Sequence, residues 1–223
     1  MNVLTIPLLL LISTHFATAS ASCIYGAQQE DEICNVSRIA LYASQKTMTA
    51  GDSELRLVAE VLTKNGMSPA NETLVTFIVR MGGESKRFIA PTEDGIAFIQ
   101  LPASTISGAV FARAHVERVS SEEQQIEILP STPAPFELTL GQCDARKMCE
   151  ISVRNLQDVF GNSLLNGTIG TVRVETADQV SHLESVQVVH GSIRVKVFIP
   201  EVRSKVSLSI SGETGYLFVP GAL

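Results

Sequence analysis

The four cysteines are the residues whose type and spacing point most directly to a chemistry. Cys23 and Cys34 are 11 positions apart, and Cys143 and Cys149 are 6 apart. Neither spacing matches the Cys-x-x-Cys pattern of zinc and redox sites. An even number of cysteines in an exported chain instead predicts two disulfides, for which three pairings are open. Short loops close at low entropic cost, so we expect Cys23–Cys34 and Cys143–Cys149.

Histidines and serines could supply nucleophilic catalysis, but their pattern does not favour it. Beyond residue 22 the histidines are His115, His182 and His190, and no Gly-x-Ser-x-Gly segment occurs. A nucleophile needs an adjacent base, whereas His115 lies in an alternating apolar run typical of a half-buried strand. His182 and His190 flank a predicted strand over residues 183–189, near its opposite ends. We therefore predict no enzyme, no catalytic residues, no cofactor and no metal site.

The acidic runs at residues 30–32 and 122–123 are the remaining candidates for metal binding. Calcium needs several oxygen ligands that converge from fixed positions, as in a calcium-binding loop. These runs lack that spacing, and we interpret them as solvated acidic surface. Calcium at a junction between modules stays an alternative that no motif supports.

Aromatic residues could form a sugar-binding platform, but they are few. The chain has no Trp, and its tyrosines are Tyr25, Tyr42 and Tyr216. The phenylalanines mostly occupy alternating strand positions, which predicts that they belong to the core. This pattern disfavours glycan binding.

The charge balance narrows the class of partner. The chain has 17 basic and 23 acidic residues and a net charge of −6. That balance argues against nucleic acid and anionic membrane surfaces as partners. Hydrophobic residues make up 45% of the chain, which is enough for packed cores.

Residues 1–21 are predicted to be a signal peptide. Residues 1–22 carry no charged side chain, and an apolar core over residues 3–12 precedes the small-x-small sites at residues 17–19 and 19–21. This order is typical of secretion with cleavage after Ala19 or Ala21, although the usual basic start is missing. The core is shorter than the roughly 20 apolar residues of a membrane span, so we expect no membrane insertion after cleavage. Lipidation of Cys23 is the alternative, and it would leave an odd number of cysteines.

From residue 36 onwards the sequence predicts short strands separated by turns. Apolar residues alternate with polar ones in several segments, which is the pattern of strands with one buried face. Turn signals such as Asn65-Gly66, Asp94-Gly95 and Gly161-Asn162 separate these segments. The alternating rows are Leu55, Leu57, Ala59 and Val61; Val110, Ala112, Ala114 and Val116; and Ile193, Val195 and Val197. The pattern predicts an all-β protein.

The chain aligns with itself at a shift of 95 positions. Asn71 falls on Asn166, and residues 76–79 fall on residues 171–174. After a one-residue insertion, Gly95 falls on Gly191 and Val110 on Val206. A steady shift over half the chain predicts two copies of one unit.

A proline-rich segment separates the two copies. Pro130, Pro133 and Pro135 disfavour helix and strand pairing, so this segment should be extended and semi-rigid. Each copy then has about seven strands, the size of an immunoglobulin-like β-sandwich. We predict a first immunoglobulin-like domain with an N-terminal disulfide loop over residues 22–130, a linker over 131–135 and a second domain over 136–223. One continuous barrel would not explain the repeat.

One motif of the second copy is Asp158-Val159-Phe160-Gly161-Asn162, which is followed by a short apolar strand over residues 171–174. This motif is similar to the Asp-x-x-Gly-Asn segment that lies between two strands in the immunoglobulin-like domains of invasin and intimin-type bacterial surface proteins. The first copy has the weaker variant over residues 63–67. The resemblance implies a tandem of sandwich domains with a stalk or binding role, and it names no ligand.

These observations together predict a non-catalytic exported protein, periplasmic or at the cell surface, that binds a protein partner in an envelope assembly or adhesive structure. A small-ligand module for calcium or an extracellular glycan is the alternative. Loops at the ends of a sandwich are a common contact surface. The longest polar, glycine-containing loop of the first copy is the best candidate, and its residues are Gly82, Gly83, Glu84, Lys86 and Arg87.

Overall fold

The computed structural model describes residues 36–177, 179–200 and 202–220. In these residues it contains sixteen β-strands and no helix. The all-β fold class is therefore confirmed. The predicted signal peptide lies outside the described residues.

The first half of the chain folds into two sheets. The smaller sheet has the antiparallel order β1-β3-β6, and the larger has the order β2-β9-β7-β4-β5, with β8 pairing on β7. All pairs are antiparallel except β2, which runs parallel to β9. The strands are β1 (Val36–Ala43), β2 (Thr47–Thr49), β3 (Leu55–Thr63), β4 (Leu74–Met81), β5 (Glu84–Pro91), β6 (Ile96–Leu101), β7 (Gly108–Val116), β8 (Val119–Ser120) and β9 (Gln124–Leu129).

The second half repeats this arrangement with seven strands. Its sheets have the antiparallel orders β10-β11-β14 and β13-β12-β15-β16. The strands are β10 (Thr139–Cys143), β11 (Met148–Val153), β12 (Ile169–Glu175), β13 (Val180–Gln187), β14 (Ile193–Phe198), β15 (Ser204–Ile210) and β16 (Glu213–Val219).

The predicted duplication is confirmed at the level of single hydrogen bonds. The Asn71 side-chain oxygen accepts a bond of 2.9 Å from the Asp94 N–H, and the Asn166 oxygen accepts one of 2.7 Å from the His190 N–H. Asp94 and His190 both have positive φ, at 50° and 48°. The same side-chain bond thus fixes the same turn in both halves. The strand orders correspond as well, β1-β3-β6 to β10-β11-β14 and β9-β7-β4-β5 to β16-β15-β12-β13.

Each half has its own hydrophobic core. Alternate residues of β3 point inward, and Leu57, Ala59 and Val61 are completely buried. The first core draws only on residues before the proline segment and the second only on residues after it. Burying one face of every strand between two sheets explains why the sequence shows an apolar period of two.

The proline segment is bonded to the second half. The Ala134 N–H donates to the Gln157 carbonyl at 2.8 Å, and the Val159 N–H donates to the Thr132 carbonyl at 3.0 Å. Pro133 is buried and forms a bridge with Asp158. These bonds hold the extended segment in place. Within the described ranges, no helix is long and apolar enough to cross a membrane.

Candidate functional site: a domain junction and two aromatic faces

The turn after β11 holds the carboxylate of Asp158 in a ring of hydrogen-bond donors. Asp158 is only 1% exposed. Its oxygens accept backbone N–H bonds from Ser131 at 2.7 Å, Phe160 at 2.9 Å and Asn162 at 2.8 Å, and a side-chain bond from Asn162 at 2.8 Å. Burial alone would raise the pKa of this carboxyl. The bonds from Asn162, Ser131 and Phe160 outweigh burial, so the pKa of Asp158 lies below its usual value.

Asn162 connects this turn to the first half of the chain. Its side-chain oxygen accepts the Ser107 N–H at 2.9 Å, and its side-chain nitrogen donates to the Thr105 carbonyl at 2.9 Å. The Phe160 ring lies directly against Gly51. A Cβ added to that glycine would be only 2.4 Å from the ring. We call Asp158, Phe160 and Asn162 the junction clamp.

The first copy keeps the turn but not the clamp. The Thr63 N–H donates to the Met67 carbonyl at 2.9 Å, as the Asp158 N–H donates to the Asn162 carbonyl at 2.8 Å. Thr and Met cannot replace the carboxylate and amide that hold two halves together. From the sequence, the motif over residues 158–162 indicated only a resemblance, and its role at the domain junction was not predicted. The sequence feature that could have indicated this role is that Thr63 and Met67 stand in the first copy where the second copy has Asp158 and Asn162.

The predicted loop around the paired glycines is a tight hairpin. Gly82 and Gly83, with φ of 57° and 87°, form a two-residue turn between β4 and β5. Glu84, Lys86 and Arg87 are exposed residues of β5, an edge strand of the larger sheet. The prediction of a long loop was wrong here, because residues 84–87 of β5 are exposed on both faces and so lack the apolar alternation that predicts a strand.

One predicted disulfide is confirmed. Cys143 and Cys149 are bonded, face each other across the β10–β11 pair and have Cα atoms 3.9 Å apart. The disulfide therefore fastens β10, an edge strand, to its neighbour. Cys23 and Cys34 lie outside the described residues, so their pairing stays a prediction.

The three histidines lie in separate environments. His115 is half-buried on β7. His182 lies within β13, where its Nε2 is 3.0 Å from a Glu184 oxygen, and His190 lies in the turn before β14. Within the described part, no three His, Cys, Asp or Glu residues are arranged to hold a metal ion.

The prediction that the phenylalanines mostly belong to the core was wrong. Phe77 is buried, but Phe98, Phe160, Phe198 and Phe218 are exposed. The alternation of apolar residues shows that a strand has two faces, but not that the outer face is polar. Aromatic side chains therefore lie on solvent-facing sheet surfaces.

A first aromatic face lies on the outer side of sheet β1-β3-β6. Tyr42 pairs with Val58, which pairs with Phe98, so the three form one row across the strands. The Arg56 guanidinium lies 4.2 Å from the centre of the Phe98 ring. The Tyr42 hydroxyl lies 3.4 Å from a Glu60 oxygen. These five residues are the first aromatic face.

A second aromatic face lies on β15 and β16. The rings of Tyr216 and Phe218 meet edge to face, with centres 5.7 Å apart. Lys205 lies over Tyr216 at 5.2 Å, and Arg203 lies over Phe218 at 5.8 Å. These four residues are the second aromatic face. Each face therefore combines exposed rings with cations that rest on them.

No known protein family and no curated protein matches this sequence. The solved structure of FdeC, an adhesin of Escherichia coli, is similar with a TM-score of 0.56 and 12% identity, over 84% of this chain and 66% of that one. This chain has the fold of a tandem of immunoglobulin-like domains. At that identity, the similarity concerns the fold of the tandem alone.

Two further structures share less of the tandem's geometry. The Yersinia pseudotuberculosis adhesin InvE has a TM-score of 0.40 and 16% identity, over 85% of this chain and 61% of that one. Invasin, a bacterial integrin-binding protein, has a TM-score of 0.40 and 15% identity, over 82% and 39%. The tandem thus spans 39% to 66% of the length of these three structures.

Proposed function

We propose that this tandem is an exported, non-catalytic protein that binds a protein partner, in a cell-envelope assembly or an adhesive structure at the periplasm or cell surface. The observation that carries the proposal is the exposure of aromatic side chains on the two aromatic faces. Tyr42, Phe98, Tyr216 and Phe218 are 54%, 51%, 59% and 57% exposed. Contiguous apolar patches on the surface of a small domain often mark a surface that binds another molecule.

The chemistry of these faces fits a protein partner. Protein interfaces are enriched in Tyr, Phe and Arg, and Tyr and Arg are over-represented among the residues whose truncation costs the most binding energy. Phe98 with Arg56 and Phe218 with Arg203 are pairs of this kind. An aromatic ring offers a large contact area with few rotatable bonds, and a planar guanidinium can stack on its face and donate hydrogen bonds to a partner.

The junction supports the same proposal. Asn162 bonds both domains, so the two aromatic faces are carried on one connected body. A spaced pair of binding surfaces gains affinity when both can be engaged at once. The fold shared with FdeC, an adhesin, is consistent with this role.

Glycan binding is the second candidate, because the exposed phenylalanines remove one of the two reasons that disfavoured it, the absence of Trp being the other. A sugar stacks on the face of an aromatic ring. In this tandem, however, Arg56, Lys205 and Arg203 lie over the faces of Phe98, Tyr216 and Phe218. A sugar would have to displace each cation, whereas a protein can use the cation as a contact. A glycan array separates the two candidates.

Photo-crosslinking in the producing cell tests the proposal. A benzoylphenylalanine in place of Phe98 or Phe218 should trap a defined partner, because both side chains face solvent on an aromatic face. The matched control carries the same probe at Lys64, an exposed position in the first-copy turn. The proposal is wrong if the control yields the same adducts as the two aromatic positions, or if none of the three positions yields any.

A further inference from the structure

We infer that the open edge of β16 accepts an extended segment of a partner protein, which adds to the sheet as a parallel strand. The inference rests on the proposed function, since it specifies where and how a protein partner would bind. It comes from one difference between the two domains, which concerns the edge of the larger sheet.

In the first domain, β2 occupies this edge. The Glu127 N–H of β9 donates to the Lys46 carbonyl at 2.9 Å, and the Ala50 N–H donates to the Leu129 carbonyl at 2.9 Å. Met48 points between the two sheets and is 6% exposed. The short parallel strand therefore supplies both backbone bonds and an apolar side chain.

Among the residues that the structure describes, the second domain has no counterpart of β2. The pairs Ala112–Gln124 and Leu208–Gly215 correspond, because β15 follows β7 at a shift of 96. By the same register, Phe218 takes the place of Glu127. Among the described strands, β16 pairs only with β15. The edge that β2 closes in the first domain is thus open in the second.

Burial of the inward side chains shows the same difference. Ile126 and Ile128, beside β2, are 0% and 3% exposed. Their counterparts Leu217 and Val219 are only partly buried. Phe136 and Leu138 cover the inner side of β16 at Gly215, where an added Cβ would lie 2.7 Å from the Phe136 carbonyl oxygen. Beyond that point the inner side of β16 at Leu217 and Val219, which we call the apolar slot, is only partly covered.

The backbone of β16 presents hydrogen-bonding groups to this edge. Ser211 and Gly212, with φ of 47° and 93°, form a two-residue turn between β15 and β16. Such a turn makes the flanking pair, Ile210 and Glu213, a hydrogen-bonded pair. Hydrogen-bonded pairs then alternate along the ladder. The N–H and C=O groups of Tyr216 and Phe218 therefore point away from β15.

The charges beside the edge indicate the chemistry of the occupant. Arg203 and Lys205 lean over Phe218 and Tyr216, and neither belongs to an ion pair with a carboxylate among the described residues. The first domain has Ser107 and Ala109 at these positions. An added strand lies about 4.8 Å away, within reach of both cations. The occupant is therefore a segment with a large apolar residue opposite Val219 and an acidic residue beside Phe218.

Synthetic peptides test the acceptor edge directly, and the chain itself supplies the template. The probe is the peptide of residues 44–51, which contains β2, with the change Thr47→Glu to add the acidic residue. Fluorescence anisotropy with the full chain should show saturable binding. The unchanged peptide should bind more weakly by a few-fold, and a Met48→Asp peptide by about tenfold or more, since a charge cannot enter the slot.

Two variants of the full chain locate the peptide. Phe218→Pro removes an N–H that points to the edge and leaves the bonds to β15 intact, so peptide affinity should fall about tenfold. Phe218→Ala keeps that N–H and should lose only a few-fold. Circular dichroism checks the fold of both. Hydrogen exchange of the Phe218 amide in the unchanged chain is a second readout, and the peptide should slow it.

Equal peptide affinity for Phe218→Pro and the unchanged chain, or no slowing of Phe218 exchange, overturns the inference. A cross-linked partner that still binds Phe218→Pro normally would also overturn it while leaving the proposed function intact. Peptide binding at the edge, with no cross-linked partner at any probe position, would support the inference and contradict the proposed function.

Discussion

Asp158 is the one charged side chain among the described residues that is fully buried. It tolerates burial because four hydrogen bonds replace the water that it has lost. Three of the donors are backbone N–H groups, so the carboxylate organises the turn and the proline segment together. A residue that looks like part of a turn motif is thus the centre of the junction.

Replacing Asp158 should destabilise the second domain strongly. Asp158→Ala leaves three N–H groups without their acceptor in a buried site, and we expect a loss of about 3 kcal/mol in the free energy of unfolding. Urea denaturation, followed separately for each domain, measures it. The matched control is Thr63→Ala, which removes one hydrogen bond to the Met67 carbonyl from the equivalent turn and should cost about 1 kcal/mol. Equal losses would contradict the role of the carboxylate.

The lowered pKa of Asp158 predicts a specific acid sensitivity. A carboxyl whose pKa is lower in the folded state stabilises the fold only while it is ionised. That stabilisation is complete above the unfolded-state pKa of about 3.9 and is lost as pH falls through the folded-state pKa. Between about pH 5 and about pH 2, the unchanged protein should therefore lose more stability than Asp158→Asn. Parallel curves for the two proteins would show that Asp158 does not titrate in this way.

Edge strands are the elements in which the two copies differ most. β10 is fastened by a disulfide, β2 closes one edge of the first domain, and β16 has no such neighbour among the described strands. An edge strand without a neighbour can pair with another chain, so each exposed edge of a domain is protected in its own way. The interior strands, which bury one face in the core, have much less freedom to diverge.

Removing the disulfide should loosen β10 locally. The double change Cys143→Ser and Cys149→Ser opens a short loop, and the entropic model gives a loss of about 2 kcal/mol. Hydrogen exchange should speed up in residues 139–143. Strand β5 of the first domain serves as an internal control, because its exchange should not change. Faster exchange throughout the second domain would instead mean that the disulfide supports its whole core.

At the scale of the whole molecule, the junction clamp decides whether the two domains behave as one body. The side chain of Asn162 makes two bonds to the first domain, and the Phe160 ring lies against Gly51. Few other polar groups link the halves, and their cores are separate. Interfaces of this kind between domains permit relative motion when they are weakened.

Asn162→Ala should therefore increase motion between the domains while both cores stay folded. Small-angle X-ray scattering should show a broader distribution of distances and a larger maximum dimension. Met67→Ala, at the equivalent position of the first copy, is the matched control and should leave the scattering unchanged. An identical profile for Asn162→Ala would mean that Phe160 and the proline segment suffice to fix the arrangement.

The sequence determined the fold class, the repeat and one disulfide. The alternating rows of β3, β7 and β14 follow directly from burying one face of a strand, and a shift of 95 to 96 positions revealed the duplication because both copies need the same turns. The local Cys143–Cys149 pair followed from loop entropy. The strand alternation, the turns and the short disulfide loop each depend on residues that are close together in the chain, and the sequence shows those residues directly.

Only the tertiary structure showed which strands and side chains face solvent and which residues join the two domains. It showed that β5 is a strand and not a loop, that Phe98 and Phe218 face solvent, and that Asp158 and Asn162 hold two domains together. Each depends on residues distant in the chain: Asn162 bonds Thr105 and Ser107, and the edge of β16 is defined by the absence of a strand like β2 among the described residues. Alternation along one strand cannot show what lies across the sheet, because that is set by how strands pack.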